Sequence, residues 1–279
     1  MILVTGATGT IGSEVLRRLA ARGEQALAMT RDPAKLSARA VKADFADPAS
    51  LDRALEGVDT VLSLTAFGRE LPEHDLALVA AAGRAGTKKI VKISAIGTGE
   101  TDDEKDIRSW HHHGERAVRD SGMAWTILRP AGFAGNALMW ADTVRAGEPI
   151  PNTTGSGGQG VVDPRDVAEV AVEALTGGAH DGMTYELTGP EVISVPEQAR
   201  VLGQVLGREV TTVEIPLEAA RQGMLASGAE PLLVEVAMTG AAFVAAGGAE
   251  RLSGDVAAVL GRAPRRFADW VRDHRAAFE

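Results

Sequence analysis

Apolar positions recur along this chain with two different periods. Short β-branched runs near 2–5, 25–30, 39–43, 59–65, 89–94 and 124–128 predict strands. Stretches near 11–22, 49–56, 73–86 and 107–121 repeat their apolar residues every three or four positions and predict the helices between those strands. Ile11, Val15, Leu16 and Leu19 form the buried stripe of the first helix. Strands alternating with helices predict an α/β fold, a doubly wound parallel sheet with right-handed crossovers. After Pro130 the regularity breaks. A helix near 136–146 leads into the polar, glycine-rich stretch 152–160, which reads as a flexible loop or a lid. Asp163-Pro164-Arg165-Asp166 predicts a helix start, with Asp163 as N-cap and proline first inside, running to about Leu175. A strand at 183–187 and helices near 196–206, 216–227, 231–246 and 264–277 complete the pattern. The expected organisation is a core over 1–150, with 161–190 returning to the sheet, and a mainly helical substrate or lid lobe over 191–279.

The first predicted strand runs straight into Gly6-Ala7-Thr8-Gly9-Thr10-Ile11-Gly12 and then into the first helix. Gly6 permits the tight turn, Gly9 lets the backbone approach a pyrophosphate, and Gly12 lets helix and strand pack closely. The helix N-terminus supplies unpaired N–H donors and a favourable dipole for an anion. The spacing is GxxGxxG rather than GxGxxG, and the flanking strand, helix and second strand give it its meaning as a Rossmann-type dinucleotide site.

Composition narrows the class. A 279-residue chain with 45% hydrophobic residues can bury a large core. No cysteine is present, which excludes disulfides, thiolate metal sites and cysteine nucleophiles and fits a reducing, cytoplasmic setting. No apolar run reaches membrane-spanning length, and a formal charge of -9 opposes nucleic-acid binding. The expected partner is a small molecule, with no nucleic acid and no membrane. Alanine-rich helices such as 231–246 serve either the second lobe or a homo-oligomer.

Cofactor choice turns on the end of the second strand, about 20 residues past the glycines, where an acid reads the ribose of NAD and a cation reads the 2′-phosphate of NADP. Arg31 fills that place with Lys35 nearby, which favours NADP; the adjacent Asp32 keeps NAD open. Asp44 and Phe45 are expected beside the adenine, and Thr65, Ala66 and Phe67 further along the cofactor.

Four motifs together, Gly6 to Gly12, Thr30-Arg31-Asp32-Pro33, Ser121 to Pro130 and Val162 to Val167, resemble those of the NmrA-like atypical short-chain dehydrogenase/reductases. The likeness spans essentially the whole chain. It implies a Rossmann domain with a small C-terminal lobe, NAD(P) binding, and relatives that range from quinone and azo reductases to cofactor-sensing regulators. Some relatives act in aromatic-polyketide tailoring on quinones or hydroquinones. In lysine-dependent relatives resembling isoflavone reductases, a lysine occupies about the place of His111.

Standard short-chain dehydrogenases use a Tyr-x-x-x-Lys pair for proton exchange. The only tyrosine here is Tyr185, followed four residues later by Gly189, so that mechanism is excluded. In place of the tyrosine helix stands Trp110-His111-His112-His113-Gly114-Glu115. His111 and Glu115 share a helix face, so the carboxylate is expected to hold the imidazole or raise its pKa toward neutrality, making a proton donor. Three adjacent histidines point three ways, so one or two of them face a site. Two ligands are too few for a metal, and none is expected.

Ser94 and Ile96 end a central strand, while Phe133, Asn136 and Trp140 follow Pro130, in positions expected to line a substrate pocket or pack as core. The expected activity is hydride transfer from NAD(P)H to a quinone-like or conjugated carbonyl acceptor. One variant is a polyketide tailoring enzyme whose reduced product meets oxygen, a net monooxygenase. The competing class is a non-catalytic NAD(P)-sensing regulator of the NmrA type.

Overall fold

In the computed structural model, which describes residues 1–36 and 38–279, the predicted β-branched runs become β1 (Ile2–Val4), β2 (Ala26–Thr30), β3 (Ala40–Lys42), β4 (Thr60–Ser63), β5 (Lys89–Ile93) and β6 (Ala124–Pro130). With β9 (Met183–Leu187) they form a seven-stranded sheet in the order β3-β2-β1-β4-β5-β6-β9. The pairs from β3 through to β6 are parallel, and Leu3 stands opposite Leu27 on one side and Val61 on the other. The order reverses between β1 and β4, the position at which open α/β sheets bind ligands. This is the Rossmann-type architecture that the alternation predicts.

The chain divides into two compact units. The first holds Met1–Glu104, Arg108–Pro130 and Val167–Glu186; the second holds Lys105–Ile107, Ala131–Asp166 and Leu187–Glu279. In the first, α1 (Thr10–Ala21), α2 (Pro48–Ala54), α3 (Leu71–Ala85) and α4 (Ile107–Asp120) follow their strands. Leu3, Leu51, Leu55, Val61, Leu78, Ile90 and Ile127 interlock in its core. Each such fully buried aliphatic side chain contributes about 1.5–3 kcal/mol, so the strand ends that carry the site rest on a firm base.

The second unit contains α5 (Ala141–Ala146), β7 (Ile150–Asn152), β8 (Gly158–Gln159), β10 (Ile193–Ser194), α7 (Val195–Leu206), β11 (Thr212–Glu214), α8 (Leu217–Ala226), α9 (Pro231–Ala245), α10 (Asp255–Leu260) and α11 (Phe267–Asp273). α6 (Pro164–Thr176) opens as predicted, with Asp163 Oδ1 accepting from Arg165 N at 2.8 Å. Ser194 and Glu197 form a capping box at the start of α7.

Three local expectations change. Residues 134–140 form a 3-10 segment before the short α5, and the helix expected over 264–277 is α-helical only from Phe267 to Asp273. The stretch 152–160 packs as ordered structure: the Asn152 amide donates to Gly155 O at 2.8 Å, and β8 pairs with β10. A Cβ on Gly157 would collide with the Val244 carbonyl, so that glycine serves close packing. Among the described residues no helix is long and apolar enough to cross a membrane.

Candidate dinucleotide site

At the end of β1, Gly6 adopts φ +60°, and a Cβ there would lie 2.8 Å from Leu64 Cγ. A Cβ on Gly12 would strike the Gly6 carbonyl and lie 3.0 Å from Ala7 Cα. Both positions therefore require glycine for backbone reasons. Gly9 is the N-cap of α1 and makes no side-chain cap, and the first turn contains no acid, so Thr10, Ile11 and Gly12 present a helix N-terminus suited to an anion. The Thr5 hydroxyl lies 3.0 Å from both the Leu62 and Leu64 carbonyls and accepts from Leu64 N at 2.8 Å, tying the glycine turn to the end of β4.

A cleft of about 220 Å³ opens beside this turn. Gly6, Ala7, Thr8, Arg31, Asp44, Phe45, Ala66 and His74 are among the residues that line it. Asp32 caps the turn at 33–35 through Ala34 N at 3.2 Å and lies 3.7 Å from the Lys35 ammonium. It is occupied locally, and Arg31 is the charged group at the end of β2 that borders the cleft. His74, on α3, stacks on Phe45 with ring centroids 5.1 Å apart and planes 21° off parallel. Sequence reasoning missed His74, whose one signal is its place in the first turns of the helix after β4.

The Thr65 hydroxyl donates to Asp75 at 2.7 Å. Phe67 is 58% exposed and stacks on the buried Trp110, at 5.8 Å between centroids. Ser94, at the end of β5, is buried and donates to Glu115 at 2.6 Å, with Thr98 Oγ1 at 3.2 Å. Ile96 bonds through its backbone to Pro130 O at 3.0 Å.

On α4, His111 is buried, His112 half-buried and His113 exposed. The expected His111–Glu115 pair is not made. Glu115 accepts two bonds from Arg129, at 2.8 and 2.7 Å, and pairs with Arg119 at 2.9 Å. Burial pushes its carboxyl up, but the bonds from Arg129 and Ser94 and the charges of Arg129 and Arg119 prevail and hold it below the usual value. His111 moves the opposite way from expectation. Burial first, and the Lys92 charge second, hold its pKa well below the usual histidine value, and its Nδ1 has no hydrogen-bond partner among the described residues. The imidazole is neutral at pH 7. Tyr185 on β9 has its hydroxyl 2.9 Å from His180 Nδ1.

In the second unit, Phe133 forms a parallel bridge with Val162 and Asn136 is exposed. Trp140 packs against that unit's core, which includes Ile150 and Trp270.

Strand order, glycine turn and bordering cation define a dinucleotide-binding protein of the Rossmann class, and the glycine cradle fits a pyrophosphate. Residues 6–177 match the NAD(P)H-binding family model, and the chain belongs to that family. Over its full length it is 40% identical to the (4-alkanoyl-5-oxo-2,5-dihydrofuran-3-yl)methyl phosphate reductase of Streptomyces griseus, covering 99% of that protein. It is 37% identical to the NAD(P)H azoreductase of Xenophilus azovorans, again over 100% of this chain and 99% of the relative. An NADPH-dependent quinone oxidoreductase from Escherichia coli, solved with NADPH, superimposes with a TM-score of 0.86 at 25% identity, covering 99% of this chain and 100% of that one. The NmrA-like resemblance stands, and the chain is an NAD(P)H-dependent oxidoreductase.

Proposed function

We propose that this chain is an NADPH-preferring reductase that delivers hydride to a conjugated, electron-poor acceptor and leaves protonation of the reduced product to solvent. The observation that carries this reading is the state of the acids around α4. His111 is buried and neutral, Glu115 is closed off by Arg129, Arg119 and Ser94, and Tyr185 is engaged with His180. An isolated ketone needs a positioned acid, because hydride addition would otherwise leave a strongly basic alkoxide. A hydroquinone anion or an enolate is a far weaker base and takes its proton from water.

The relatives support the same acceptor class. The dihydrofuranone named for the Streptomyces griseus relative carries a C=C bond conjugated to carbonyl groups, and the others are named for azo and quinone reduction. NAD(P)H supplies the hydride when bound. Gly6, Thr8, Gly9, Thr10, Ile11 and Gly12 hold its pyrophosphate. Arg31 and Lys35 take the 2′-phosphate; Asp44 and Phe45 take the adenine; Thr65, Ala66 and Phe67 flank the ribose. In the tailoring variant the hydroquinone reacts with oxygen after reduction, so hydroxylated product depends on oxygen while NADPH oxidation does not.

The test is NADPH oxidation with a 1,4-naphthoquinone, an azo dye and an alkanoyl-dihydrofuranone phosphate, against an isolated ketone. Turnover of at least one conjugated acceptor and none of the ketone is expected. Ketone turnover would overturn the reading, and NADPH binding without any turnover would favour the non-catalytic regulator.

A further inference from the structure

Lys92 lies in the fully buried strand β5 and Asp75 on α3. Their side chains form an ion pair in which each is 1% exposed. Removing two charges from water usually costs as much as their attraction returns, so stability alone is a weak reason for such a pair. The surroundings are built around it. A Cβ on Gly114 of α4 would lie 2.9 Å from Asp75 Cβ and Cγ, so the glycine after the three histidines lets α4 lie against the carboxylate. Lys92 Nζ also reaches the Ile93 carbonyl at 3.4 Å. The second Asp75 oxygen accepts from Thr65 Oγ1 at 2.7 Å, while Ser63 Oγ, at 3.5 Å, is too far to compete.

A threonine hydroxyl has one hydrogen and two acceptor lone pairs. With its hydrogen on Asp75, Thr65 has only acceptor capacity left. Phosphate oxygens are acceptors too and gain nothing from it; a ligand hydroxyl gains a bond. Thr65 follows β4, beside β1, where the strand order reverses and the middle of a dinucleotide crosses the sheet. The donors in that stretch of the cofactor are ribose hydroxyls.

We propose that the buried Lys92–Asp75 pair is a positioning device that fixes the Thr65 hydroxyl as acceptor for a ribose hydroxyl of the bound dinucleotide. The inference rests on the NAD(P)H reading of the site. Thr65 is the binding residue, and Asp75 and Lys92 act through it.

The test measures NADPH binding by fluorescence, without turnover, for Thr65→Val and Thr65→Ser in the natural chain and in an Asp75→Leu/Lys92→Met background. Asp75→Ala/Lys92→Met, which likewise leaves no acceptor for the Thr65 hydroxyl, serves as the second background if leucine is not accommodated beside Gly114, and thermal melting verifies folding. Thr65→Val should weaken NADPH about tenfold in the natural chain, the loss of one hydrogen bond, and Thr65→Ser should restore binding. In the apolar background the lock is gone, so Thr65→Val should add less than about a twofold loss, the signature of coupled residues. Unchanged affinity in natural-chain Thr65→Val, or an equal loss in both backgrounds, would overturn the proposal. A natural chain that binds no NADPH would instead overturn the dinucleotide reading beneath it.

Discussion

Glu115→Gln is the sharpest probe of what the helix after β5 does. The natural carboxylate is 1% exposed and receives Arg129 twice, Ser94 once and Arg119 once. Glutamine keeps the size and one oxygen but removes the charge, leaving Arg129, itself 19% exposed, without its counter-ion. Breaking a buried pair from one side costs about 3–5 kcal/mol, and the partial exposure of both arginines places this one near 3. For a chain of this size that corresponds to a melting point lower by roughly 6–12 °C. The pH dependence carries the sign. The Glu115 carboxyl is held below its ordinary value in the folded chain, so its stabilisation is fully present above the unfolded pKa of about 4.3 and is lost as pH falls through the folded pKa. Thermal melts of both proteins from pH 7 downward should therefore show a constant gap that begins to narrow below about pH 4.5. Equal melting points at pH 7 would refute the argument that Glu115 is a buried anchor, and so would a gap that widens on acidification.

Three other perturbations probe the cofactor site. Gly12→Ala drives a methyl into the Gly6 carbonyl and should weaken NADPH at least about tenfold by titration, since overpacking costs about 1–3 kcal/mol. Arg31→Ala should cost about tenfold in NADPH affinity and leave NADH nearly unaltered, because only the former carries a 2′-phosphate for the guanidinium; equal losses for both would remove Arg31 from that role. His74→Ala should weaken NADPH about threefold to tenfold and His74→Phe should recover it, as expected for a stacked ring worth about 0.5–1.5 kcal/mol. Recovery by His74→Asn instead would assign the effect to hydrogen bonding.

The sheet was legible because each central strand is buried on both faces and reads as a β-branched run, and because Gly6 and Gly12 answer to backbone collisions that no other residue avoids. The smaller strands escaped. β7, β8, β10 and β11 span two or three residues each, too short for a period, and β7 pairs with β11 across some sixty positions. The turn near His274 that ends α11 leaves the alanine-rich pattern unbroken, which is why the sequence predicts one long helix there. At the site, the partners of Glu115 were the error. An i, i+4 spacing placed His111 beside it, whereas Arg129 arrives from β6, a tertiary contact that overrides the helical one. Asp75 and Lys92 gave no signal at all, since a lysine or an aspartate is rarely buried and each reads as a solvated position until the other is placed opposite.

In the proposed reaction, hydride moves to the acceptor without a proton from the protein. Single-turnover oxidation of NADPH deuterated at the transferred position, run in light and heavy water with a quinone acceptor, tests it directly. A primary isotope effect from the cofactor, a solvent effect near unity and a rate that His111→Gln leaves flat between pH 6 and 8 are expected. A large solvent isotope effect on the same step, abolished in His111→Gln, would contradict it.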